Sequence, residues 1–125
     1  MQKIYLKLEE VRAYKIAHGL SNYIWAIVKS WDYFAKDTIG KQYVRSTDSI
    51  SANIAEGFGR YHKRDKIKYY RYSYGSTRES MDWTEKALAR DLISKDQYKH
   101  IIEELRILPQ EINYLIKLTN KNLKI

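Results

Sequence analysis

The sequence contains no cysteine among its 125 residues, which removes disulfide frameworks, thiolate metal sites and cysteine nucleophiles together and fits a reducing compartment. It lacks a positively charged start followed by an apolar signal core, and no uninterrupted apolar run is long enough to cross a bilayer. The protein is therefore expected in the cytoplasm, without a membrane partner. Catalytic templates are missing as well. His18, His62 and His100 are far apart, none belongs to a His-x-x-x-His or Glu-x-x-His pair, and the di-metal carboxylate pattern of some helical bundles is not there. The Gly-x-Gly at Gly57 to Gly59 follows a helical pattern instead of opening a helix from a strand, so it is no phosphate loop. Ser49 or Ser76 as a nucleophile would need a base that the sequence does not supply. No catalytic residue, metal or cofactor is expected.

Against these absences stand charge and tyrosine. Lys and Arg number 23 against 15 Asp and Glu, a formal net charge of +8 with neutral histidine, enough to favour anionic partners such as nucleic acid or an acidic membrane surface. Twelve tyrosines are many for this length. Each joins an apolar ring to a polar tip, which suits half-buried seams, subunit contacts or base stacking. Residues 1–125 fit one domain with a modest core.

A helical rhythm runs through most of the chain, and no strand pattern competes with it. After a short lead-in over Met1 to Lys7, a first helix is predicted from about Leu8 to Phe34. Val11, Tyr14, Ala17, Ser21, Ile24, Val28 and Trp31 share one face, which Leu20, Ile27 and Phe34 widen. Trp25 falls off that stripe and should meet a third helix, another subunit or plain solvent. Asp37 reads as the N-cap of a second helix, from about Thr38 to Phe58. Its apolar face is Ile39, Tyr43, Thr47, Ile50, Ile54 and Phe58, and Gly57 and Gly59 are expected to end it in the left-handed conformation. A third helix spans about Asp65 to Leu92, with Ile67, Tyr70, Tyr74, Thr77, Met81, Thr84 and Leu88 on one stripe. Tyr69, Tyr72, Ser76, Ser80, Trp83 and Ala87 face elsewhere. Gly75 in its middle costs about 1 kcal/mol relative to alanine, which predicts close approach of another backbone. Ser94 and Gln97 form a capping box for a fourth helix over about 95–119. Its seam is Ile101, Leu105, Leu108, Ile112, Leu115 and Leu118. Pro109 removes a hydrogen bond inside it and predicts a kink near Arg106 to Pro109. The tail from Asn120 to Ile125 should fray. Four helices with short connections favour an all-α, antiparallel up-down-up-down four-helix bundle.

Two stretches could carry function. Ser46, Ser49, Asn53, Gly57 and Arg60 run at steps of three and four beside the apolar seam of the second helix, where a neighbouring helix could come close. With Glu56 they read as a structural hydrogen-bond network or as a ligand site. The densest charge follows, where Arg60, Lys63, Arg64, Lys66, Lys68 and Arg71 meet only Asp65, with Tyr61, Tyr69, Tyr70 and Tyr72 interleaved. Cations on phosphates and exposed rings on unpaired bases would make a nucleic-acid surface of this stretch. The alternative is a solvated helix start with its tyrosines turned inward.

Gln42, Arg45, Ser49, Asn53-Ile54-Ala55-Glu56-Gly57 and Arg60, followed by Gly75-Ser76 and Glu79 and taken with the Ala17-His18 region, resemble a known family. It is that of the four-helix-bundle proteins associated with intervening sequences of bacterial 23S ribosomal RNA genes, and the resemblance covers nearly the whole chain. It implies a left-handed antiparallel bundle that assembles into a ring, a homopentamer, and brings no catalytic residues with it. The chain is also distantly similar to the accessory proteins of diversity-generating retroelements, pentameric bundles thought to bind nucleic acid and a reverse transcriptase. Ser51 stands where many relatives have proline, and Ser46-Thr47-Asp48 is more polar than the small apolar residues usual there.

The expectation that follows is a non-enzymatic homo-oligomer binding RNA or DNA. Arg60, Lys63, Arg64, Lys66, Lys68 and Arg71 would contact phosphates, while Ser49, Asn53, Glu56, Arg60, Ser76 and Glu79 form a polar network that holds the two middle helices together. In a ring, the two-sided apolar coverage of the first and third helices and the Gly75-Ser76 notch would face neighbouring protomers. The alternative is an assembly or adaptor module with a protein partner, its charge serving solubility. An enzyme using Asn53, Glu56 and Arg60 is a third reading.

Overall fold

Asp32 sets the layout of the N-terminal half. Its Oδ1 accepts the backbone N–H of Ala35 at 3.0 Å, which starts a helical run at Tyr33. The chain was described from a computed structural model over residues 6–122. A 3-10 turn at Leu8–Glu10 precedes α1 (Arg12–Lys29). The turn Tyr33–Ala35 and a π-helical turn Lys36–Gly40 lead without a break into α2 (Lys41–Gly59), followed by α3 (Lys63–Ala89) and α4 (Lys95–Asn122).

The first helix is thus shorter than its periodicity predicts. Ser30 closes the last turn by donating through Oγ to Ile27 O at 2.7 Å. Buried Trp31 is held sideways by its indole N–H, which donates to Leu92 O at 2.9 Å. Phe34 lies beyond this turn and is 76% exposed instead of widening the apolar face. Asp37, the expected N-cap, sits inside the π turn and pairs with Lys41 at 2.7 Å.

α1 packs on α2 and α4, α2 on α3, and α3 on α4, so sequence neighbours are spatial neighbours around a closed cycle. Direction follows from the cross-contacts. Tyr43, Ser46 and Ile50 of α2 meet Thr84, Ser80 and Ser73 of α3 in descending order. Arg12 and Tyr23 of α1 meet Glu111 and His100 of α4 in the same way. The fold is an antiparallel up-down-up-down four-helix bundle, and among the described residues there is no strand. Ile24, Ile50, Ile54, Ile101, Leu105, Leu108 and Ile112 are sealed in its centre, at the spacings an amphipathic helix requires.

The α2–α3 seam is different, because short hydroxyls line it. Thr84 Oγ1 donates to Ser80 O at 2.7 Å, so Tyr43 is the donor in its own 2.7 Å contact with Thr84 Oγ1. Ser46 donates to Tyr43 O and accepts from Ser80 Oγ, both at 3.0 Å. Ser73 Oγ reaches across to Ile50 O at 2.7 Å. Every buried side-chain nitrogen and oxygen among the described residues has a partner, so the seam carries no desolvation penalty left uncompensated.

Glycine works here differently from the expectation. Neither Gly57 nor Gly59 has a positive φ; α2 ends through extended Arg60. Gly57 instead admits α3, since a Cβ on it would lie 2.7 Å from Tyr70 Cε1 and 2.9 Å from Lys66 O. Gly75 shows the reverse. A Cβ there would meet nothing within 4 Å, so no backbone of the same protomer approaches it. Among the described residues the left-handed position is Asp91, φ 56°. It closes α3 with bonds from Asp91 N to Leu88 O and Leu92 N to Ala87 O, a Schellman arrangement with aspartate in the usual glycine position. The Ser94–Gln97 capping box forms as expected. α4 continues through Pro109 to Asn122, beyond the expected end, and the lead-in from Met1 and the tail to Ile125 lie partly outside the described residues.

Gly57→Ala is expected to cost about 1–3 kcal/mol by overpacking, whereas Gly75→Ala gains about 1 kcal/mol of helix propensity. Urea unfolding of the two variants reads both, and equal shifts would overturn the assignment. Burial pushes the Tyr70 hydroxyl from 10.0 up to about 12, with Thr119 opposing, and burial raises Tyr43 as well. The folded state therefore keeps protons that the unfolded chain releases, and stability is lost as pH rises from about 10 toward 12. Tyr70→Phe should flatten that loss in pH-stepped urea titrations; an unchanged slope would exclude Tyr70 as its source.

Candidate nucleic-acid interface

α3 begins where His62 leaves the extended conformation, and only Asp65 in its first turn matches the helix dipole. The six cations proposed from the sequence separate into two sets. Lys66 Nζ donates to Phe58 O at 2.7 Å and, beside the Arg60 N–H, to Gly57 O at 3.4 Å, covering carbonyls at the end of α2, and partial burial lowers its pKa. Arg60 donates to Glu56 Oε2 at 3.0 Å and to the Tyr69 hydroxyl at 2.9 Å, with its guanidinium 4.7 Å from the Tyr69 ring centroid. Lys63 Nζ reaches Asn120 O at 3.5 Å. These three tie the α2–α3 corner together and link it to the end of α4.

Arg64, Lys68 and Arg71 form the other set. All three are exposed and make no ion pair among the described residues. Steps of four and three place them on one outer face of α3, and a further four and three through Gly75 bring in Arg78, also exposed, which the sequence reading left out. From Arg64 to Arg78 the row is about 21 Å long at the α-helical rise. Tyr72 is exposed beside it and Tyr61 at the corner, while Tyr70 belongs to the core; the interleaved tyrosines thus divide between both readings of the segment. Past Arg78 exposed Glu79, Asp82 and Glu85 change the sign of the face.

The polar network expected between the middle helices is not the one the structure makes. Ser49 donates to Arg45 O at 2.7 Å and Asn53 to Ser49 O at 2.9 Å, both within α2. Glu56 is exposed and pairs with Arg60. Glu79 is exposed and accepts from Trp83 Nε1 at 3.2 Å within α3, and Ser76 is half-buried. Of the set, Arg60 alone bonds from the end of α2 to α3. The hydroxyl seam does that work because a hydroxyl can return its proton to its own helix and still accept across the interface, whereas a buried carboxylate is costly to desolvate. Ser73, Thr77, Ser80 and Thr84, at steps of four and three, were the signal available. Asn53, Glu56 and Arg60 line neither the cleft between Trp25 and Arg45 nor the one beside Tyr74 and Ile116. Among the described residues no cluster of three His, Cys, Asp or Glu could hold a metal, and no helix is long and apolar enough to cross a membrane.

The pattern shared by the 23S rRNA-intervening sequence proteins matches residues 9–114. The chain belongs to that family. A crystal structure of a protein of unknown function from the S23 ribosomal protein family of Bacteroides thetaiotaomicron VPI-5482 is similar, with 22% identity and a TM-score of 0.75 over 84% of this chain and 98% of that one. At that identity the likeness concerns the fold alone. No curated protein matches. In this family member, Lys66→Met is expected to lower stability by about 1 kcal/mol, the small end for a charged hydrogen bond at a half-exposed site. Thermal unfolding checks it, and an unchanged midpoint would remove Lys66 from the corner.

Proposed function

We propose that this protein is a non-enzymatic, cytoplasmic nucleic-acid-binding bundle whose contact surface is the cationic outer face of α3. The observation that carries this reading is the row Arg64, Lys68, Arg71 and Arg78, exposed and without an ion pair among the described residues. Cations so placed stay available to displace counterions from a phosphate backbone. A net charge of +8 points the same way. A 23S rRNA intervening sequence, the element in the family's name, is the RNA to try first. Arg60, Lys63 and Lys66 act mainly by positioning α3, which narrows the phosphate contacts expected from the sequence.

Assembly belongs to the same proposal. Tyr33 and Phe34 are 77% and 76% exposed, large apolar side chains that a neighbouring protomer would cover, and a homopentameric ring would pool the positive faces. The exposed pair equally favours the second reading, an adaptor that offers this surface to a different protein.

Filter binding of structured RNA at stepped salt tests the first reading. The wild-type affinity should fall steeply with salt, and replacing Arg64, Lys68 and Arg71 together by alanine should reduce the slope by about 3. No binding at low salt, or an unaltered slope, would overturn it. Light scattering tests assembly, and the mass of one protomer would end that part.

A further inference from the structure

A second cationic feature lies on another side of the bundle, at the junction of α1 with α2. A cleft of about 450 Å³ opens there. Its floor is Val28 and Val44 with Gly40 between, and Trp25, 57% exposed, forms a wall. The π turn contributes Lys36 and Gly40 to the lining. Lys41 N–H closes on Lys36 O, five residues back, so the helix is locally wider by one residue, a rare arrangement that gathers at functional sites. Gly40 is needed at its end, since a Cβ would stand 2.9 Å from Val28 Cγ1 and 3.1 Å from Ala35 O.

The rim of this apolar floor is positive. Lys29, Lys36, Lys41 and Arg45 surround it. Lys41 is paired with Asp37; Lys29, Lys36 and Arg45 are exposed and make no ion pair among the described residues. The cleft therefore suits a flat apolar group with negative charge on either side of it. A single small anion would satisfy one part of the rim and leave the rest uncompensated, whereas a strand brings a phosphate on each side of every base. Bases inside a duplex already have both faces covered, so only an unpaired one can stack on an indole.

We propose that this cleft seats an unpaired nucleotide of a single-stranded nucleic acid, with its base stacked against Trp25 and the flanking phosphates on Lys29, Lys36 and Arg45. The site is separate from the α3 row. Tyr43, next to Val44, is level with Thr84, whereas Gly57, at the other end of α2, is level with Tyr70 and Lys66. The row thus starts at the far end of α2 from the cleft and runs along the outer face of α3, whereas the cleft is built from α1, the π turn and α2, so it stands on its own residues.

Fluorescence anisotropy with a labelled oligouridylate of about eight nucleotides, compared with a blunt RNA duplex of equal length, tests it. Trp25→Ala should weaken single-strand binding about tenfold, in the range of one lost base stack, and leave duplex binding unchanged. Trp25→Phe should keep most of the affinity. The Arg64, Lys68 and Arg71 triple variant supplies the contrast, because it should weaken the duplex. Trp25 is exposed, so its variants should melt like the wild type, and this is checked first. Single-strand affinity that ignores Trp25→Ala overturns the proposal, as does an equal loss for strand and duplex, or competition by polyglutamate as strong as that by the strand. If the wild type binds neither strand nor duplex, the α3 reading falls with it; if binding persists without Trp25, only the cleft is lost.

Discussion

The contact on which the rest of this bundle depends is the close approach of α2 and α3. Ser73, Ser80 and Thr84 face Ile50, Ser46 and Tyr43 through hydroxyls, and Gly57 admits the Tyr70 ring. Neither contact tolerates sliding. A shift of one turn would carry Tyr70 from Gly57 to a position that bears a Cβ, Asn53 or Ile54 on one side and Arg60 on the other, and would separate each hydroxyl from its partner at once. The seam also fixes how α3 is rotated. With Ser73, Thr77, Ser80 and Thr84 turned inward, Arg64, Lys68, Arg71 and Arg78 must lie on the opposite side.

That rotation gives one dense stretch of charge two jobs. Lys66 and Arg60 cover the end of α2, and Arg64, Lys68 and Arg71 look outward one step away. The arrangement is locally unfavourable for the helix itself, because the start of a helix prefers acidic side chains and here Asp65 stands among Lys63, Arg64, Lys66 and Lys68. The structural need at the corner accounts for Lys66 by its two carbonyls. It accounts for neither Arg64 nor Lys68, although the Lys68 ammonium lies 5.2 Å from the Tyr69 ring centroid, and a local rule broken for so little local compensation points to a use outside the chain.

The helices were legible because their apolar positions recur at helical spacing over many turns, and the Ser94–Gln97 box was legible because both halves of a capping box are close in sequence. Asp32 and Asp37 could not be told apart in that way. Either carboxylate can cap, and what decides between them is Trp31, anchored to Leu92 far along the chain. The seam was missed for a related reason. Apolar periodicity has no weight for Ser73, yet serine is as well suited as alanine to a close helix contact once its proton has an acceptor. Gly57 was expected to end a helix and Gly75 to admit a neighbour, and only the partner facing each one shows that Gly57 does the admitting. Of the candidate surface, the cations were visible as a cluster, but their division into corner and outer face required the phase of α3, which Ser73 sets.

The π turn has a consequence for how this chain could vary. Lys36–Gly40 behaves as an inserted residue that the helix has absorbed instead of expelling as a loop. Asp32 holds the chain upstream and Tyr43 holds it in the core downstream, so loss of one residue between them could be taken up by closing the wide turn, with α2 still in phase. Such a shortened relative would keep its bundle while the groove beside Trp25 narrowed. Length at this one point is a dial by which evolution could retain the scaffold and discard the cleft.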